Sequence, residues 1–175
     1  MVRRIQMLKS DITFFDADAI VSAANKTLLG GGVDGAIHRA AGPKLLEECR
    51  KIEGYTIGNS KLTAGYELNA RYVIHTVGPI WHNGNFKEEE FLSSCYRRSL
   101  EIAAENQFEY IAFPFISTGF HRFALFLAAK IAISTVSKAL NGLKNKASNI
   151  CLFQRRCLYC PRKVSDGYFR PRRAG

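Results

Sequence analysis

Apolar and polar positions along the chain follow two periods, short apolar runs that suit strands and stripes of three- and four-residue spacing that suit helices. Ile5-Gln6-Met7-Leu8 reads as a short strand, and Asp11-Ile12-Thr13 follows as a turn. Ala19 to Ala23 is a buried-strand run that ends in Ala24-Asn25. Gly30-Gly31-Gly32 then opens into Val33 to Ala41, a helix closed by Gly42-Pro43, and Leu45 to Ile52 predicts a second helix. Lys61 to Thr63 and Tyr72 to Val77 read as strands, the latter stopped by Gly78-Pro79. Leu92, Tyr96, Leu100 and Ala103 form the stripe of a long helix from about Lys87 to Asn106, with Glu88, Glu89 and Glu90 favourably placed at its N-terminal dipole. Tyr110 to Ile116 is apolar throughout, as in a strand buried on both faces. Leu125, Ala129, Ala132, Val136 and Leu140 make the last helical stripe, stopped by Gly142, and Ile150 to Phe153 closes the series as a strand.

Alternating strands and helices predict an α/β fold, three α/β/α layers around a mixed, largely parallel sheet. The 175 residues suit one domain, with residues 1–153 as its body and 154–175 as a basic C-terminal tail. Apolar residues make up 47% and charged residues 23%, ordinary globular usage that excludes disordered and fibrous classes. No run of about 18 apolar residues offers a membrane span, and Met1-Val2-Arg3-Arg4 leads into no apolar leader, so a cytoplasmic protein without a membrane partner is expected.

The net charge of +10 is uneven. Arg155, Arg156, Arg162, Lys163, Arg170, Arg172 and Arg173 against Asp166 give the segment from residue 149 onward +6, leaving +4 for residues 1–148. Such a tail licenses weak, non-specific nucleic-acid attraction and no base readout. Cys157-x-x-Cys160 with Cys151 falls short of a four-ligand zinc set, so no metal is assigned.

In open α/β sheets ligands bind on the loops at the carboxyl ends of the strands. Two such loops carry candidate chemistry. One runs from Ala23 to Gly35, where consecutive glycines admit close backbone approach and a helix N-terminus favours phosphate. The other is Ile116-Ser117-Thr118-Gly119. Together they suggest a diphosphate, although ordinary βα turns carry similar residues, and neither loop has the Walker A or G-x-G-x-x-G pattern. Asp11 and Asn25 could equally be turn residues, and Asp34 a helix-start charge. His38, one turn after Asp34 on the same face, reads as a packing residue, with a catalytic His–Asp pair as the alternative; His75 in its strand reads as core, and Cys49 and Cys95 lie on apolar helix faces.

Five ordered segments resemble the macrodomain family, and within it the MacroD-type branch of ADP-ribose-processing hydrolases. They are Ser10 to Thr13, Asp18 to Asn25, Gly30 to Gly42, Val73 to Pro79 and Phe113 to Gly119. The resemblance implies an ADP-ribose cleft, with Asp11 accepting from the adenine amino group beside the Ile12 backbone. It further implies that Gly31, Gly32 and Val33, with Ser117, Thr118 and Gly119 and the adjoining Phe120, His121 and Arg122, line the diphosphate and distal ribose. Asn25 would hydrogen-bond that ribose, and Asp34 would activate or position the attacking water. The activity implied is hydrolysis of ADP-ribose esters on acidic side chains or in O-acetyl-ADP-ribose, without metal or cofactor, by a monomer whose partner is ADP-ribose or an ADP-ribosylated protein. A non-catalytic ADP-ribose-binding module is the alternative. The chain departs from the pattern in four places. Ser22 stands for an asparagine, three glycines stand for four, His121 and Arg122 stand for an aromatic and a glycine, and the tail carries Pro161 where a last helix is expected.

Overall fold

The computed structural model describes residues 5–25, 31–52, 56–142 and 149–154. Its strands are β1 (Ile5–Lys9), β2 (Ala19–Ala24), β3 (Ser60–Ala64), β4 (Tyr72–Val77), β5 (Tyr110–Pro114) and β6 (Asn149–Gln154). Its helices are α1 (Gly32–Ala41), α2 (Pro43–Lys51), α3 (Glu88–Glu105) and α4 (Leu125–Gly142), with one 3-10 turn at Ile12–Phe14. The strands form one sheet in the order β1-β6-β5-β2-β4-β3, parallel except for the antiparallel pairing of β3 on β4. The α/β class and the mixed, largely parallel sheet are as the alternation of patterns predicts.

Period-two alternation within the strands assigns the layers. Ala19 and Val21 of β2, Ile74 of β4, Ile111 and Phe113 of β5, and Ile150 and Leu152 of β6 face α3 and α4, meeting Leu92, Tyr96, Leu100, Ala132 and Val136. Ile20, Ala24, Val73 and Ala112 face the other way, onto Ile37, Leu45 and Cys49 of α1 and α2. The α4 stripe differs from the predicted one at its start: Ala128 rather than Ala129 is fully buried, and Leu125 is exposed. A 3.6-residue turn permits steps of three or four, and here the step back from Ala132 is four.

Buried charge pins the sheet at its entry edge. Asp18 accepts from the amides of Glu109 (2.7 Å) and Tyr110 (2.9 Å) and from the Arg71 guanidinium, so the start of β2 is tied to β5. No helix among the described residues is long and apolar enough to cross a membrane. The proposed boundary at residue 153 falls one residue short of the end of β6. The basic tail, Pro161 and the Cys157–Cys160 pair lie outside the described residues, as does Gly30.

Candidate functional site

Because β1, β2 and β5 are parallel members of one sheet, the segments that follow them emerge at the same edge. This brings Asp11, Asn25, Gly31, Gly32 and the 117–123 loop to one side of the molecule. β2 and β5 are neighbours, so their loops meet: a side chain added at Gly32 would reach to 3.6 Å from the Phe120 ring. Gly31 has φ 131° and Gly32 φ 55°, both in the region that favours glycine, and Gly31 faces open space. These two residues deliver the first turn of α1, whose N–H groups have no intrahelical acceptor. The glycine run therefore presents amides to any anion at this edge.

Asp34 enters on that first turn and is 1% exposed. The Ser22 hydroxyl donates to its Oδ1 at 2.7 Å. The same oxygen lies 3.7 Å from His38 Nε2 and 3.9 Å from His75 Nδ1. Burial pushes the carboxyl up, but the His75 ring and the Ser22 hydroxyl, with the charges of His38 and His75, outweigh it and hold Asp34 below the ordinary carboxylate range. The departure at Ser22 thus keeps a partner for Asp34, since the shorter side chain still reaches the carboxylate. His75 is fully buried and packs as predicted, with Thr63 Oγ1 2.9 Å from its Nε2. His38, His75 and Cys49 place possible ligand atoms within 4.8 Å of one another. A metal there would compete with Thr63 for the imidazole and would need the thiolate. Burial first, then Asp34 and Glu48, push that thiol up to about 12.

The second loop hangs from the core. The Tyr96 hydroxyl, deep in α3, accepts from the Ile116 amide (3.3 Å) and donates to the Pro114 carbonyl (3.4 Å). Gly78 closes in from β4, where an added Cβ would sit 2.2 Å from Ser117 Oγ, so no side chain fits between these segments. Ser117 is buried, Thr118 donates its hydroxyl to the Phe115 carbonyl (2.9 Å), and Gly119 faces open space. Among the described residues no acceptor takes the amides of Ser117, Thr118 or Gly119. Phe120 is 83% exposed, and His121 is half-buried.

Arg122 has φ 54°, a left-handed conformation in which an L-residue is disfavoured by about 1–2 kcal/mol. Its amide donates to the Gly119 carbonyl at 2.9 Å, closing the turn. The expected result for Arg122→Gly is a gain in unfolding free energy of roughly 0.5–1 kcal/mol in urea, because relief of strain exceeds the added freedom of the unfolded glycine. Unchanged or lower stability would mean that the Arg122 side chain makes a compensating contact.

Asp11 is exposed and caps the 3-10 turn, its Oδ1 accepting from the Thr13 amide (3.0 Å) and hydroxyl (2.8 Å). The turn role is therefore realised at one carboxylate oxygen. Asn25 is exposed at the end of β2, and Ile12 and Val33 stand beside the cleft as buried and half-buried residues. Pattern reading missed the anchors Ser22 and Tyr96, whose partners lie 12 and 20 residues away in the chain. Only the Ser22 departure marked one of these positions.

The sequence profile of the Macro domain family matches residues 21–132. A macro domain-containing protein of Chlorobaculum tepidum is 58% identical over 137 residues, covering 78% of this chain and 80% of that protein. The ADP-ribose glycohydrolase MACROD2 of Homo sapiens is 47% identical over 159 residues, 87% of this chain but 37% of that longer protein. Among solved structures, the Trypanosoma brucei macrodomain in complex with ADP-ribose superposes with a TM-score of 0.81 at 41% identity, covering 87% of this chain and 64% of that one.

Proposed function

The chain belongs to the Macro domain family, and within that family we propose that it is a hydrolase releasing ADP-ribose from ester linkages, on acidic protein side chains or in O-acetyl-ADP-ribose. The observation that carries this reading is Asp34, held ionised on the first turn of the helix that Gly31 and Gly32 open, beside a second loop of unclaimed amides. Its similarity to the ADP-ribose glycohydrolase MACROD2 and to a macrodomain that holds ADP-ribose supports both the ligand and the reaction class.

In this reading the amides of Gly32 and Val33 face one phosphate and those of Ser117 to Gly119 the other, and the remaining loop residues Phe120 and His121 border the distal ribose. Asn25 hydrogen-bonds that ribose. Hydrolysis adds one water across the ester, leaving a carboxyl group on the side chain or acetate and a hydroxyl on the ribose. A carboxylate with a lowered pKa is a poor proton acceptor at neutral pH but a strong hydrogen-bond acceptor. Asp34 therefore orients the attacking water rather than stripping it of its proton.

Release of ADP-ribose from an automodified, glutamate-linked protein tests the reaction, and calorimetry with free ADP-ribose tests the ligand. Binding without turnover would establish the second reading, a non-catalytic ADP-ribose module. That reading is favoured by the strained Arg122 and the adjoining His121, which alter the loop nearest the reacting ribose. Absence of binding would remove both. Asp11→Asn preserves the cap oxygen while placing an amide donor against the adenine amino group. It is expected to weaken ADP-ribose by about tenfold, the worth of one hydrogen bond; an unchanged affinity would show that Asp11 does not contact adenine.

A further inference from the structure

The first residue of α3 does something its position at a helix start does not predict. The Glu88 side chain is 2% exposed and turns back onto the loop that precedes it. There it accepts from three backbone amides, those of His82 (2.8 Å), Gly84 (3.2 Å) and Phe86 (2.6 Å). Burial pushes this carboxyl up, and the converging amides, its own included, more than offset that and lower it. Asn83, Gly84 and Lys87 in the same loop all have positive φ, a conformation that glycine and asparagine adopt readily but that is disfavoured for Lys87. The carboxylate supplies the anion around which that path closes.

The loop is joined to the cleft through its first residue. The Trp81 amide donates to the His121 carbonyl at 2.9 Å, and the Trp81 ring packs on Phe123 with centroids 4.5 Å apart. Phe123 is buried and returns its own amide to the Ser117 carbonyl at 3.0 Å. One chain of contacts thus runs from Glu88 through the 82–86 amides to Trp81, and from Trp81 to both ends of the 117–123 loop.

We infer that Glu88 is a positioning residue for the anion-binding loop: it fixes the 82–86 turn so that Trp81 clamps residues 117–123 in the conformation that presents their amides to the ligand. The ligand named here rests on the ADP-ribose reading above, whereas the clamp does not. Glu88 touches no reacting atom. The His82 and Gly84 amides share one carboxylate oxygen and the Phe86 amide uses the other, so a glutamine of the same shape loses an acceptor at one position and holds the remaining amides on a neutral oxygen about half as strongly.

Amide hydrogen exchange on the ligand-free protein and calorimetry with ADP-ribose test this together. Trp81 is the chain's single tryptophan, so its emission reads the joint directly. In Glu88→Gln, faster exchange at 82–86 and at 117–123 is expected with β2 and β5 unchanged, together with a red-shifted emission and roughly tenfold weaker ADP-ribose binding. Loosening of 82–86 with unchanged exchange at 117–123 would overturn the inference, as would wild-type affinity. Should that variant not fold, Trp81→Leu keeps the carboxylate and its amides but removes the ring from Phe123. Faster exchange at 117–123 alone then supports the clamp, and unchanged exchange there refutes it. If the wild-type protein binds no ADP-ribose, the proposed function falls, and the exchange comparison still decides whether Glu88 holds the loop.

Discussion

Asp34→Asn is expected to slow release of ADP-ribose from a glutamate-linked protein by about 10²-fold or more, with affinity for free ADP-ribose changed far less. The asparagine oxygen still accepts from Ser22, which donates to Asp34 at 2.7 Å, so the start of α1 keeps its anchor. What disappears is the negative charge that His38 and His75 flank at 3.7 and 3.9 Å and that orients a water at the ribose. Asp34→Ala removes the acceptor as well and leaves the Ser22 hydroxyl buried without it, so that variant combines the rate loss with a fall in stability of about 1–3 kcal/mol. Asn25→Ala, on the exposed end of β2, should also reduce the rate. Equal rates for wild type, Asp34→Asn and Asn25→Ala would sink the hydrolytic mechanism.

Phe113→Ala should lower stability by about 3–5 kcal/mol, the range for deleting a large buried aromatic, and the melting temperature by roughly 10 °C. Phe113 is fully buried on β5 and packs against Tyr96, with ring centroids 5.3 Å apart. Tyr96 in turn holds the Ile116 amide one residue before the 117–123 loop. The cavity therefore opens behind the anchor of the cleft, and ADP-ribose affinity falls along with stability. Urea unfolding followed by calorimetry on the folded variant separates the two effects. A loss below about 1 kcal/mol would show that α3 and β5 close over the missing ring.

Most of the fold was legible along the chain. The AIVSA run from Ala19, the apolar stretch from Tyr110 and the helical stripe through Leu92, Tyr96 and Leu100 each carry their element's period in consecutive residues. Backbone conformation and one-sided burial act over three or four positions, so their traces are local. Glycines at 31 and 32 marked a close-approach loop for the same reason: the left-handed φ that they adopt is a property of single residues. Arg122, which adopts a left-handed φ, stands where the family resemblance marks a glycine.

The cleft's supporting contacts were not legible. Glu88 read as a favourable charge at a helix start, and only the folded chain shows it holding three amides of the preceding loop. The α4 stripe was one residue out at Ala128, since steps of three and four are equally helical until the helix meets the sheet. The sheet order β1-β6-β5-β2-β4-β3 places β5 beside β2, although 85 residues lie between Ala24, the end of β2, and Tyr110, the start of β5, and neither pattern nor period marks the pairing. That adjacency sets Gly32 against Phe120, and the packing of Trp81 on Phe123 joins the end of β4 to the same loop. The sequence by itself determined which segments form strands and helices and which loops are rich in glycine, because those properties arise from neighbouring residues. The tertiary structure decided which loops face each other and which buried charges hold them, because contacts between residues distant in the chain leave no period for a sequence to show.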